Sequence, residues 1–200
     1  PYIVAREIIF QKLKTPTASY CISHASAMEL HQMVTQPQLV VYAMVPRQIR
    51  NQTILGTGFH FVTSPPDQIF GVKKHWVNKT EFVMVSDVER TILDGLKMPQ
   101  YCGGITDVAK GLWIKRNEID PTKIVDYAEK MNVGAVYRRL GYLFETYGIS
   151  GPFEIQRLQN RLTHTYLRLD PFLPEDGKMN SRWKLKLNIL KDELHAVTRT

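Results

Sequence analysis

The side chains best suited to metal binding are histidines that lie too far apart for a zinc site. His24 and His31 are seven residues apart. On a helix they share a face but lie two turns from each other, whereas histidine pairs that bind zinc are usually four residues apart. We therefore favour a histidine hydrogen-bonded near a helix end over a metal ligand.

Carboxylates offer a second possibility, the metal site of restriction-type nucleases. Such sites combine a Pro-Asp with a strand that carries (Asp/Glu)-x-Lys, so that carboxylates bind Mg²⁺ and the lysine orients the attacking water. Pro66-Asp67 is present, but Asp176-Gly177-Lys178 follows about a hundred residues later, in a segment rich in Pro and Gly. We take the match as chance and expect no catalytic residue, no metal and no cofactor. A restriction-nuclease-related enzyme, or its inactive relative, is the alternative.

Gly103-Gly104 is the one short glycine signal that precedes a predicted helix. Free backbone N–H groups at such a helix start can cradle a phosphate. The signal is only two residues long, and the sequence has no Walker lysine loop, no GxGxxG and no GxSxG. We favour a plain turn.

Basic residues among aromatic ones remain as candidates for nucleic-acid or partner binding. The chain of 200 residues carries a net charge of +7, which favours acidic partners without requiring them. The candidates lie on one predicted helix and one predicted strand: Arg138, Arg139, Arg182, Lys184 and Lys186. Contacts with phosphates are expected before contacts with base edges. Neighbouring helical residues point about 100° apart, so at most one arginine of the 138–139 pair is expected to reach a partner. A solvated helix face is the competing interpretation.

The elements that position these residues predict an α+β fold. Four strands precede a nearly all-helical half, which indicates layers and not alternating βαβ units. The predicted strands are Leu39–Val45, Thr53–Thr63 with a bulge or bend around Gly56 and Gly58, Ile69–Val77 and Glu81–Val85. Trp183–Leu190 alternates between apolar and polar residues, so we expect it to join at an edge with Lys184 and Lys186 outward. The expected fold is a mixed sheet of about five strands packed against several helices, with a helical C-terminal half.

The central unit is a strand that leads into a helix. Ser86 and Glu89 form a predicted capping box at the helix start, and Val88, Ile92 and Leu96 fall on one face. Later helices have equally clear ends. Asp120-Pro121 indicates a helix start, and Gly148 indicates the end of the helix over Val133–Tyr147.

Two cysteines without a pairing pattern, Cys21 and Cys102, indicate reduced thiols in a cytoplasmic protein. No apolar run approaches the roughly 18 residues of a membrane span. The sequence begins with Pro1, so we expect a fragment. Residues 1–18 are expected to be a lead-in or linker from a missing N-terminal winged-helix domain, and residues 19–200 one domain.

Four runs occur in an order that resembles the AbiEi family of antitoxins, transcriptional regulators of bacterial viral-defence (abortive infection) systems. The runs are Tyr20–Ala27 (YCISHASA), Val85–Asp94 (VSDVERTILD), Gly103–Ile105 (GGI) and Arg138–Leu143 (RRLGYL). The resemblance covers about residues 19–190. The chain departs from the pattern at His31-Gln32-Met33, where relatives often have His-Gly.

The resemblance implies a two-part protein in which an N-terminal winged helix-turn-helix binds the promoter of its own operon. The C-terminal domain, matched by residues 19–200, counteracts a nucleotidyltransferase-like toxin and in some members assists promoter binding. The family supplies no agreed catalytic residues, so none is assigned here. A domain that only spaces two DNA-binding heads is a third interpretation.

Overall fold

The computed structural model of the chain describes residues 1–15, 19–34 and 39–199. They form two compact units, Pro1–Thr91 and the residues from Ile92 onward. The boundary expected after residue 18 lies outside the described residues. Eight α-helices, a six-stranded mixed sheet and a three-stranded sheet in this described part of the chain make the fold α+β, as predicted.

The first unit is a six-stranded sheet with two helices. In chain order its elements are α1 (Tyr2–Leu13), β1 (Cys21–Ile22), α2 (His24–Leu30), β2 (Val40–Val45), β3 (Gln52–Ile54), β4 (Thr57–Thr63), β5 (Val72–Trp76) and β6 (Phe82–Ser86). Across the sheet the strands follow the order β3-β4-β2-β1-β6-β5. β2 is parallel to β4 and β1 to β6, and the other neighbours are antiparallel.

All four strand segments predicted for this unit are present. The segment Thr53–Thr63 folds into the hairpin β3–β4, because Leu55 and Gly56 both have positive φ, 48° and 80°. β1 was not predicted, since two residues are too short to show alternation. It nevertheless lies in the middle of the sheet, between β2 and β6.

One face of the sheet forms the core of the first unit. Parallel pairing sets Val41 opposite Phe59 and Ala43 opposite Phe61, so apolar side chains of two strands meet in rows. Helix α1 packs on the same apolar residues. The buried members of this core include Val41, Ala43, Val45, Phe59, Phe61, Val83 and Val85 of the sheet and Ala5, Ile8 and Ile9 of α1.

The helix after β6 begins one residue later than the predicted capping box requires. α3 spans Val88–Lys97, and Asp87 caps it by accepting the backbone N–H of Arg90 on Oδ1 at 2.9 Å. The prediction that Ser86 is the cap is wrong, because Ser86 is the last residue of β6. Its hydroxyl lies 2.8 Å from the hydroxyl of Thr91. A carboxylate suits the cap position because it also faces the positive end of the helix dipole.

The second unit contains the rest of α3 and the later helices. Its further elements are α4 (Ile105–Ile114), α5 (Pro121–Met131), α6 (Gly134–Tyr147), α7 (Pro152–Gln159), β7 (Leu167–Arg168), β8 (Lys178–Asn180), β9 (Leu185–Leu187) and α8 (Lys191–Ala196). The predicted helix ends are confirmed. Asp120 accepts from the backbone N–H groups of Thr122 and Lys123, and Gly148 ends α6 with φ 63°.

Helix α6 is buried on every side along its middle. All residues from Val136 to Phe144 are buried. Gly141 is required there, because an added Cβ would lie 2.0 Å from two ring carbons of Trp183. Trp183 is itself fully buried, so α6 and the indole share one closely packed core.

The strand after Trp183 does not join the large sheet, so the prediction of an edge strand there is wrong. β9 is the middle strand of the separate sheet β7-β9-β8. The alternation itself holds, since Trp183, Leu185 and Ile189 are buried. The sequence could not show this sheet because its partner strands are only two and three residues long. Among the described residues, no helix is both long and apolar enough to cross a membrane.

Candidate binding surface

The outward side of the small sheet carries three residues in one row. Lys186 of β9 lies opposite Arg168 of β7 and opposite Met179 of β8. Residues in register on neighbouring strands project from the same side of a sheet. Arg168 and Met179 are exposed and Lys186 is half-buried, so this side faces solvent.

An aromatic ring and a second lysine extend the row. Lys184, just before β9, has φ 52°, and its Nζ lies 5.4 Å from the ring centroid of the exposed Tyr166. A lysine over an exposed aromatic ring is attracted by about 0.5–1 kcal/mol. We call the surface formed by Tyr166, Arg168, Met179, Lys184 and Lys186 the basic face.

The basic face has more positive than negative charge. Lys186 Nζ lies 3.6 Å from Glu175 Oε1, and the Glu175 side chain is 74% exposed. An exposed pair of this kind is weak and gives way to a stronger anion. Arg168 Nη1 donates to the carbonyl oxygen of Leu173 at 3.2 Å, which fixes the guanidinium without neutralising it. The surface can therefore accept phosphate or carboxylate groups from a partner.

Arg182, a predicted binding residue, is exposed but paired within the second unit. Its Nε donates to Glu145 Oε1 at 2.7 Å, and its Nη2 lies 2.6 Å from the same oxygen. The other oxygen of Glu145 accepts from Trp183 Nε1 at 2.6 Å. Hydrogen bonding to Glu145 raises the pKa of Arg182. Because Glu145 neutralises it, Arg182 is a weaker candidate than the residues of the basic face.

Arg138 does not face outward, and the prediction that it lies on the surface is wrong. It is 2% exposed, and burial lowers its pKa. Nη1 donates to the carbonyl oxygen of Gly134 at 2.7 Å, and Nη2 donates to Thr163 Oγ1 at 2.7 Å and to the carbonyl of Thr165 at 3.0 Å. Arg138 therefore holds the segment between α7 and β7 against α6.

Arg139 is also buried. The expectation that one arginine of the pair faces outward is therefore wrong. Nη1 donates to the carbonyl oxygen of Leu96 at 2.5 Å and Nη2 to that of Arg168 at 3.3 Å. The Leu96 carbonyl lies in the last turn of α3, where carbonyls lack a partner within the helix. Burial lowers the pKa of Arg139 to about 10, and the charge of Asp170 opposes this. The guanidinium thus stays charged at neutral pH and caps a helix.

The histidines make the hydrogen bonds that the sequence analysis favoured. His31, at the end of α2, places Nε2 2.7 Å from the carbonyl oxygen of Ser86. His24 Nδ1 lies 2.9 Å from Ser23 Oγ. Within residues 1–15, 19–34 and 39–199, no group of three or more His, Cys, Asp or Glu side chains is placed to hold a metal. The two carboxylates compared with a nuclease site lie in different units. Asp67 is in a 3₁₀ turn of the first unit, whereas Asp176 belongs to the second.

The helix start after Gly103-Gly104 is filled by a carboxylate of the chain itself. The backbone N–H of Ile105 donates to Asp170 Oδ2 at 2.9 Å, and a Cβ on Gly104 would lie 3.1 Å from that oxygen. Asp170 therefore takes the place that a bound phosphate would need. The plain-turn interpretation agrees with this contact.

Cys21 and Cys102 are both buried and are not joined in a disulfide. Burial raises the pKa of the Cys102 thiol well above its usual value, and the nearby Asp94 and Asp107 add to this effect. Cys102 is therefore a protonated, inert thiol at neutral pH.

Sequence reasoning missed Tyr166 and Arg168. The signal was present in Tyr166–Leu169, where the polar or aromatic residues alternate with leucines. Four residues are a weak basis for a strand, and only the pairing of β7 with β9 turns the run into part of a surface.

The whole chain is similar in fold to a solved structure. The crystal structure of the RV2827C protein from Mycobacterium tuberculosis has a TM-score of 0.69 to this chain, at 14% sequence identity, and the match covers 100% of this chain and 71% of that one. A likeness at this identity shows the fold alone. No family model and no curated protein matches the sequence.

Proposed function

We propose that this chain is the antitoxin and regulatory part of an AbiEi-like toxin–antitoxin system in the bacterial cytoplasm. In this proposal it acts by binding and carries out no catalysis. It counteracts a nucleotidyltransferase-like toxin and assists autoregulation of its promoter, with operator recognition made mainly by a winged-helix domain of the full-length protein.

The observation that carries the proposal is the order of the four sequence runs that resemble the family. Each run alone is short, and the ordered set is what gives the likeness its weight. The runs fall on β1 and the start of α2, on β6 and α3, at the start of α4, and on α6. Most of these positions are buried, although Gly103 is exposed, so the runs support the proposal as features of a shared fold.

The basic face supplies a binding surface for the proposed role. Lys184 and Lys186 are the two sequence-predicted residues that remain there, and Arg168 adds a third charge. An acidic surface of the toxin or the phosphates of promoter DNA would both complement it. The two partners differ in how their binding depends on salt, which makes them separable by experiment.

The test is rescue of growth in a bacterial host that expresses the toxin encoded beside this protein. Co-expression of this chain should restore growth. Charge reversal of Lys186 and Arg168 together should abolish rescue if the toxin binds the basic face. Lys130→Glu, which changes an exposed lysine on α5, is the matched control and should leave rescue intact.

A parallel measurement examines promoter DNA with the full-length protein. If phosphates bind the basic face, the same reversals should weaken binding to all sequences alike, and each lost contact should lower the log–log salt slope by roughly 0.9. Failure of this chain to restore growth would overturn the antitoxin proposal. Mg²⁺-dependent cleavage of DNA or RNA by the purified chain would overturn its non-catalytic part.

A further inference from the structure

The hairpin formed by β5 and β6 exposes lysines and a tryptophan at one edge of the large sheet. Among the described strands, β5 is an end strand and pairs with β6 alone. Trp76 is 58% exposed and the following Val77 is 42% exposed. Lys73, Lys74 and Lys79 are exposed as well. We call this element, residues 72–86, the lysine hairpin.

The charge of the lysine hairpin is not neutralised within the first unit. Glu81 is the carboxylate in the hairpin itself, and it already accepts from Arg6 Nη2 at 3.0 Å and from Asn78 Nδ2 at 3.3 Å. Among the described residues, no carboxylate forms an ion pair with Lys73, Lys74 or Lys79. The hairpin therefore complements an anionic partner.

One aromatic residue positions both the indole and a lysine. Phe82 lies opposite Trp76 in the strand pairing, and the two rings meet edge to face with centroids 5.4 Å apart and an interplanar angle of 65°. Lys74 Nζ lies 4.6 Å from the centroid of Phe82. Lys74 and Trp76 are two residues apart on one strand and so share a face. Lys73 projects from the opposite face.

Protection of a sheet edge explains only part of this arrangement. Lysines on an end strand discourage pairing with other chains, which accounts for Lys73 and Lys74. An exposed indole works against such protection. A base-stacking platform beside a cation accounts for both features, because bases stack on aromatic rings while lysines contact the backbone.

We propose that the lysine hairpin binds single-stranded nucleic acid, with a base stacked on Trp76 and phosphates against Lys74 and Lys79. The strand must be single because a duplex keeps the faces of its bases inside the stack. This site lies in the first unit and is separate from the basic face of the second. It goes beyond the proposed function and does not depend on it.

The test is a titration of the chain with oligo(dT) and with oligo(U) of about 12 nucleotides. Tryptophan fluorescence monitors binding. Trp183 is fully buried and Trp76 is 58% exposed, while Trp113 is half-buried under the guanidinium of Arg116 at 3.9 Å, so Trp76 is the most accessible of the three indoles. We expect quenching on binding. Trp76→Ala should remove the quenching and weaken binding roughly 5- to 150-fold, the range for a base stacked on an aromatic residue.

Replacing one lysine on each face of β5 tests which face binds the nucleic acid. Lys74→Gln should lower the log–log salt slope by roughly 0.7, the value for one phosphate contact on a single strand. Lys73→Gln removes the same charge from the opposite face and should change the slope by less than half as much. Lys130→Gln, on α5, is the distant control. Circular dichroism should show that each variant stays folded.

Several results would overturn the inference. These are no binding of either oligonucleotide, binding that Trp76→Ala leaves unchanged, equal effects of Lys73→Gln and Lys74→Gln, or tighter binding of a duplex without quenching. Binding of an acidic peptide at the hairpin in place of the oligonucleotides would also overturn it. Trp76→Ala should still rescue growth from the toxin, so failure of this site and failure of the antitoxin role are distinguishable.

Discussion

Replacing Gly141 with alanine tests the closest packing in the second unit. In the middle of a helix this change removes the conformational freedom of glycine and should by itself stabilise the protein by about 1 kcal/mol. The structure predicts the opposite sign. An alanine Cβ would lie 2.0 Å from Cη2 and Cζ3 of Trp183 and 2.6 Å from Cε3, far closer than the van der Waals contact distance of about 3.5–4.0 Å between carbon atoms.

The expected loss of stability depends on how far the indole of Trp183 must move. Ordinary overpacking costs about 1–3 kcal/mol, but a small shift of the ring cannot relieve an overlap this large. Displacing the indole would sacrifice burial comparable to a large-to-small change of tryptophan, about 3–5 kcal/mol. It would also strain the hydrogen bond from Nε1 to Glu145. After subtracting the gain in helix propensity, we expect a net loss of roughly 2–4 kcal/mol.

Urea unfolding followed by far-ultraviolet circular dichroism measures this loss, and near-ultraviolet dichroism reports whether Trp183 has moved. Gly151→Ala is the control, because its φ is −80° and its Cβ would meet only the flexible end of Glu154 at 3.3 Å. Adding Trp183→Phe removes the outer ring of the indole, so the double variant should lose less stability than the sum of the two single ones. Stabilisation by Gly141→Ala would refute the packing of Trp183 against α6.

Three other substitutions test the helix ends and the core. Arg139→Met keeps an unbranched apolar stem but leaves the carbonyls of Leu96 and Arg168 without donors, so the free energy of unfolding should fall by roughly 1–3 kcal/mol for each; a variant of unchanged stability with a binding defect would mean that Arg139 faces a partner. Asp87→Ala should cost about 0.5–2 kcal/mol in urea unfolding while Asp87→Asn costs little, and equal losses for both would contradict the cap. Ile92→Ala removes a side chain that is 1% exposed and should cost about 2–5 kcal/mol; a thermal or urea melt that shows less than about 1 kcal/mol would mean that this face of α3 is loosely packed.

Local signals predicted the long elements of the fold well. β2 and β4 were identified from apolar runs, and Asp120 and Gly148 from the chemistry of helix ends. These signals act within a few residues and do not depend on the rest of the chain. The helix after β6 was predicted for the same reason, although its cap shifted from Ser86 to Asp87 because either side chain can accept a backbone N–H.

The small sheet and the buried arginines could not be predicted in this way. β1, β7 and β8 have two or three residues each, and only pairing with distant segments defines them. Arg138 and Arg139 have the composition of a solvated helix face. Their burial depends on carbonyl groups of Leu96, Thr165 and Arg168, which lie 27–43 residues away in the sequence and have no local signature.

The runs that resemble the AbiEi family and the surfaces suited to binding are therefore different parts of the molecule. Within the RRLGYL run, Arg138 and Arg139 donate hydrogen bonds to backbone carbonyls, and Gly141 leaves space for the ring of Trp183. In the VSDVERTILD run, Asp87 caps a helix. Substitutions in these runs should change stability first and binding only as a consequence. Lys186 and Trp76 lie outside every run and on the solvent-facing sides of their strands, so their replacement should change binding while the free energy of unfolding stays nearly constant.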